Sequence, residues 1–148
     1  MSAILRSVLE ASPLGFKLAG SRALGCADPA SDWDYVVTGK TNVLGFLYGL
    51  GFKEISKSGA YESDVVISVY ELKNADETIQ VSIEKDAQFK ERIIQAMRES
   101  DELRDFDKAL RGNKDARDAL WTALYRLAGW QRKTQCDTCK RAGDDIEF

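Results

Sequence analysis

Asp32 and Asp34, two residues apart and shortly downstream of Gly20-Ser21, are the side chains best suited to metal and phosphate chemistry in this chain. On an extended strand, residues two apart project from the same face. Asp32 and Asp34 then point together, while Trp33 and Tyr35 point the other way. Two carboxylates so placed can hold a pair of Mg²⁺ (or Mn²⁺) ions about 4 Å apart, the spacing used in metal-assisted phosphoryl transfer. Gly20 lets backbone approach a triphosphate closely, and Ser21 adds a hydroxyl and a backbone N–H. Ser21 is also a candidate cap for a short helix over 22–25 that would aim its N-terminus at the phosphates. The chain holds a second Asp-x-Asp pair, Asp105 and Asp107. It falls in a helical pattern, where residues two apart diverge by about 200°, and it reads as a solvated face.

Composition narrows the chemistry further. The 148 residues contain no histidine, which removes Ser-His-Asp and Cys-His nucleophilic catalysis. Three cysteines, an odd number, argue against a disulfide framework. Cys136-x-x-Cys139 is half a zinc ribbon without its other half, so the segment from Gln135 is expected to be a polar tail binding no zinc. No secretory h-region and no apolar run of membrane length is present, and a cytoplasmic protein without membrane contact is the expectation. Residues 1–85 carry 8 Lys/Arg against 11 Asp/Glu, whereas residues 86–142 carry 13 against 10. That imbalance is too mild to demand nucleic acid but suits a phosphate-bearing ligand between the two halves.

The surrounding elements must position the aspartates. Ser2–Glu10 reads as an amphipathic helix with Ile4, Leu5, Val8 and Leu9 on one face. Phe16–Ala19 reads as a strand, 22–31 as a turn segment, and Asp32–Thr38 as a strand. Thr41 is placed to cap a helix running to Leu50, which Gly51 stops. Strands are predicted at Phe52–Lys57, Asp64–Lys73 and Thr78–Lys85, the last two joined as a hairpin at Asn74-Ala-Asp. Helices are predicted over 86–100, 102–112 and 114–131, with Leu120, Leu124 and Leu127 facing the core. Trp121 and Tyr125 also read as core, and the basic residues of these helices, Lys90 and Arg117 among them, as solvated.

The run Gly20-Ser21-Arg22-Ala23-x-Gly25 followed by Asp32-x-Asp34 between apolar residues resembles the signature of the DNA polymerase β-like nucleotidyltransferase superfamily. The likeness is to its minimal members, the MNT antitoxins and phage nucleotidyltransferase-like proteins. It covers residues 16–37 closely and 38–100 only in element order. It implies an ATP- or other NTP-binding site in which Gly20, Ser21 and Arg22 meet the nucleotide and Asp32 and Asp34 hold the metals. The family completes its site with a third acid on a later strand. Here that strand is Thr78-Ile-Gln-Val-Ser-Ile-Glu-Lys, and the natural alignment puts Gln80 at the acid's place. Glu84 shares the face of Gln80 but lies about 13 Å further along.

The expected fold is α/β: a small mixed twisted sheet of nucleotidyltransferase type, with helices on one face and a helical C-terminal region. One domain spans 1–134, with the sheet in 1–85 and helices in 86–134; residues 135–148 form the tail. The expected function is metal-dependent transfer of a nucleoside monophosphate from an NTP to a hydroxyl of a protein, RNA or small molecule, with Asp32, Asp34 and Glu84 catalytic. The alternative is a degenerate member of that fold that binds nucleotide, nucleic acid or a protein partner without turnover. The two part on one point: whether Glu84 or Gln80 stands beside the aspartates.

Overall fold

The computed structural model describes residues 2–55 and 65–130. Helix α1 (Ser2–Ala11) leads to β1 (Lys17–Ala19), a single-turn α2 (Gly20–Ala23) and β2 (Trp33–Thr38). There follow α3 (Val43–Leu50), β3 (Lys53–Ile55), β4 (Val66–Lys73) and β5 (Thr78–Glu84). Three helices close the described chain: α4 (Gln88–Glu99), α5 (Asp101–Ala109) and α6 (Lys114–Leu127). No described helix is long and apolar enough to cross a membrane.

The strands form one open, mixed sheet in the order β1-β2-β5-β4-β3. β2 and β5 run parallel in the middle, and the other neighbours are antiparallel. β-branched and aromatic residues dominate the central strands, Trp33–Thr38 and Thr78–Glu84, because such side chains pack well on a pleated surface. The β4–β5 hairpin turns at Asn74, whose Oδ1 accepts from the backbone N–H groups of Asp76 and Glu77 at 2.9 Å each. An irregularity between Val66 and Ser68 shifts the parity of β4. It brings Val66 onto the same face as Val69 and Glu71.

Each face of the sheet has its own cover. Tyr35, Val37, Tyr70, Ile79, Val81 and Ile83 pack with Leu9 of α1 and Val43 and Leu47 of α3. On the opposite face, Val65 and Val66 pack with Ile93, Met97, Trp121 and Tyr125 of α4 and α6, and Val36 packs with Ala23, Ala87 and Ile94. The C-terminal helical region therefore roofs the face of the sheet that carries Asp34, Gln80 and Glu84.

Several local expectations are revised. α3 begins after Asn42, not on a Thr41 cap, and Gly51 (φ 98°) ends it in the left-handed conformation, as the sequence pattern predicts. Ile4 and Val8 of α1 are exposed and Leu5 and Leu9 face the core. Of the leucines expected in the core from α6, Leu127 is 84% exposed, whereas Leu124 packs against the buried Trp121–Tyr125 stripe. The strand ends expected at 56–57 and 64, and the tail with Cys136 and Cys139, lie outside the described residues.

Candidate functional site

Gly20 and Ser21 open α2 directly after β1; Ala19 is its N-cap residue, and no side chain caps it. Ser21 therefore lies inside the first turn rather than capping a later one. Gly20 has φ +65°, and a Cβ built on it would stand 2.3 Å from Asp34 Oδ2. Only a residue without Cβ lets the aspartate lie this close to the chain. β1 and β2 bring the two together, with Ala19 opposite Asp34. Arg98 of α4 donates from Nε to the Ala23 carbonyl at 2.9 Å, tying the end of α2 to the C-terminal helices.

Asp32 stands exposed one residue before β2, and Asp34 is half-buried within it. Burial pushes the Asp34 carboxyl pKa up, and the nearby negative charge of Asp32 pushes it the same way. Lys90, Arg117 and Arg22 oppose the shift, with Lys90 foremost. Lys90 on α4 and Arg117 on α6 thus supply positive charge that acts on Asp34; the reading as solvated is corrected for Lys90, whereas the Arg117 side chain is 42% exposed. The Lys90 side chain is only 15% exposed.

Arg22 is engaged in structure. Its Nη2 donates to the carbonyls of Asp28, Pro29 and Ser31 at 3.3, 3.3 and 2.8 Å. Its guanidinium also lies 4.0 Å from the centre of the Trp33 ring, and that of Arg6 lies 3.8 Å from the same centre. Two cations this close must take opposite ring faces, so Trp33 is stacked between them. Arg6 in turn pairs with Glu77. The loop preceding Asp32 is thereby held to α1 and to the β4–β5 turn.

The register of β2 and β5 decides the third position. Asp34 pairs with Gln80, and Glu84 pairs with Thr38 four residues further on, about 13 Å along the strand. Glu84 has no exposed surface. It accepts from the Tyr125 hydroxyl at 2.9 and 3.0 Å, and Lys90 Nζ lies 3.6 Å from its Oε2. The structure groups Gly20, Ser21, Asp32 and Asp34, and it sets Glu84 apart from them under α4 and α6.

Among the described residues, no three His, Cys, Asp or Glu side chains gather as a metal-ligating set. The donors present suit a single hydrated divalent cation, because Mg²⁺ is commonly held by one or two carboxylates with waters and phosphates completing its shell. A partly desolvated Asp34 with its pKa raised beside Asp32, in a cradle open only to glycine, fits such an ion. Asp32 and Asp34 are the residues that would hold it. A cavity of about 360 Å³, lined by Thr41, Leu44, Ile67 and Ile83 among others, opens by the far ends of β2 and β5 and carries none of these donors.

Sequence reasoning missed two features of the site's surroundings. Asp107, assigned above to a solvated face, is 2% exposed and accepts from Arg117 Nε at 3.0 Å and Trp121 Nε1 at 2.8 Å. Its neighbour by two, Asp105, is exposed. Glu71 of β4 stands opposite Gln80; its place was legible only through a strand register that no local pattern reports. No family model, curated protein or solved structure matches the chain in the three comparisons made. The coarse class, a mixed α/β domain with a five-stranded open sheet and six helices among the described residues, rests on the fold itself.

Proposed function

We propose that the chain binds a nucleoside triphosphate through one divalent cation held by Asp32 and Asp34, and that it turns the nucleotide over weakly or not at all. The observation that carries this reading is the pairing of Asp34 with Gln80. In the family that the Gly20–Asp34 segment resembles, the strand beside the paired aspartates bears a third acid. An amide there can neither take a proton from an attacking hydroxyl nor neutralise a second cation. Glu84, the remaining acid on that face of β5, is committed to Tyr125 and Lys90.

Bound phosphates would lie between the Gly20–Ser21 turn and the cationic side chains of Lys90 and Arg117, the groups whose charge already reaches Asp34. The cation would supply charge neutralisation there; Asp32 and Asp34 would anchor it, and Gly20 would keep the backbone clear. Nucleotidyl transfer is the second reading. It is favoured by the raised pKa of Asp34, since perturbed carboxyls in partly buried sites are often functional.

The test uses the full chain with each of the four NTPs, with and without Mg²⁺ or Mn²⁺. Calorimetry reads binding, and α-phosphate-labelled nucleotide reads transfer. Metal-dependent binding with transfer at background supports the proposal. Sustained transfer of label to protein or RNA replaces it by the second reading, and the absence of metal-dependent binding removes both.

A further inference from the structure

A cavity of about 360 Å³ opens where the parallel strands β2 and β5 end, away from the aspartates. That volume falls within the range of small-molecule sites, about 300–1,000 Å³. The carboxyl ends of parallel strands are also where open α/β sheets commonly take ligands. Ile83, 3% exposed, lines the cavity from the end of β5. Leu44 of α3 and Ile67 of β4 line it as well, yet they are 42% and 49% exposed. Two large apolar side chains left partly in water around one cavity mark a place where an apolar body can be buried. Gly39 shapes the space: a Cβ there would stand 2.8 Å from Ile67 Cδ1 and 3.4 Å from Ile83 Cγ2, so a larger residue would displace the tip of Ile67.

The charge around this cavity has one sign. Lys40 lines it, and no acid does among the described residues. The Lys40 ammonium donates to the Leu14 carbonyl at 3.1 Å, which uses one of its three N–H groups. No described carboxylate lies within ion-pair distance of it. Helix α3 begins at the same place, at Val43, with no side-chain cap, and the free backbone N–H groups of a helix start carry partial positive charge.

We infer that this cavity binds a small amphipathic carboxylate, with its charged head at Lys40 and its hydrocarbon body against Leu44, Ile67 and Ile83. The site is separate from the aspartates and independent of the cation proposed there. Burial of the hydrocarbon drives binding, because removing apolar surface from water is favourable. The charge selects the head group: one ammonium beside an uncapped helix start matches a singly charged anion and repels a cation.

The test titrates the full chain at neutral pH with octanoate, octanol and octylamine, three probes with one hydrocarbon body and different heads, and reads affinity by calorimetry. Octanoate should bind most tightly, octanol about 10-fold more weakly, and octylamine most weakly of all. Lys40→Met should lower octanoate to the level of octanol and leave octanol within about 2-fold. Ile67→Ser and Leu44→Ser each shorten one wall and should weaken octanoate and octanol alike, on the order of 10-fold. The two wall variants stand in for each other should one fail to fold, which circular dichroism reports. Val8→Ser, the same kind of change at an exposed residue of α1, should alter nothing. Absence of octanoate binding overturns the site. Equal affinity for octanoate and octanol, or an unchanged preference in Lys40→Met, overturns the anionic ligand. Full octanoate affinity in a folded wall variant places the ligand elsewhere and overturns the proposal as well.

Discussion

At one end of the β2–β5 pair, Asp34 lies half-buried against Gly20 with exposed Asp32 near it; at the other end, Glu84 is fully enclosed under α4 and α6. Both acids stand on the same face of neighbouring parallel strands, four residues apart in register. Asp34 has Lys90 and Arg117 within electrostatic reach, yet burial still dominates and raises its pKa. Glu84 has a hydroxyl bonded to both its oxygens and an ammonium at 3.6 Å. An acid whose charge is met by protein groups is part of the core, whereas one left with a desolvation cost is suited to an incoming cation.

That contrast can be broken most directly by exchanging charge at each end. Asp34→Asn should weaken Mn²⁺ and metal–NTP binding by about 100-fold or more while the chain stays folded, whereas Glu84→Gln should leave binding within about 2-fold. Glu84→Gln should instead cost about 2 kcal/mol or more in urea unfolding, because Lys90 loses its buried counter-charge. Equal losses of metal binding from the two variants would erase the distinction.

The two Asp-x-Asp pairs offer a second comparison. Asp107→Asn should destabilise by about 1–3 kcal/mol, leaving Arg117 without its charge partner. Asp105→Asn, on the exposed side of α5, should change stability by less than about 0.5 kcal/mol. Denaturant midpoints measured side by side decide this.

Gly20→Ala tests the close approach at the open end. Its φ of +65° predicts a loss of roughly 1–2 kcal/mol from backbone strain alone, and an alanine Cβ there would also clash with Asp34 Oδ2. Mn²⁺ affinity should fall with it, because the carboxylate must move. A variant with parental stability and affinity would show that the turn does not constrain Asp34.

The smallest effect concerns pH. Because the folded-state pKa of Asp34 is raised above its ordinary 3.8, its stabilising contribution is present below that value and is lost as pH rises through the folded pKa. Asp34→Asn mimics the neutral form, so at neutral pH without metal it should melt a few degrees above the parent. The gain should vanish toward pH 3.8, and saturating Mn²⁺ should reverse the order of the two melting temperatures. Thermal scans across pH read all three.

The sequence pattern located most elements because local chemistry dictates them. Gly51 stops α3 in the left-handed conformation, Asn74 shapes the β4–β5 turn, and Ser100 and Asn113 cap α5 and α6 by accepting from Leu103 and Ala116. Leu127 and Asp107 were misread for one shared reason. Helical periodicity tells which residues share a face but not which face the rest of the molecule covers.

The sequence by itself determined that Asp32 and Asp34 would be placed by a strand behind a glycine turn, because residue spacing and turn preference are properties of the local chain. Only the tertiary structure decided that Gln80, not Glu84, stands beside Asp34, since a strand can slip by two residues without changing the face it presents. It also decided that the charges of Lys90 and Arg117 act on Asp34, that Arg22 is spent on a loop and that Glu71 accepts from the Gln80 amide. Each depends on segments far apart in the chain meeting in one register, and no local rule carries that information.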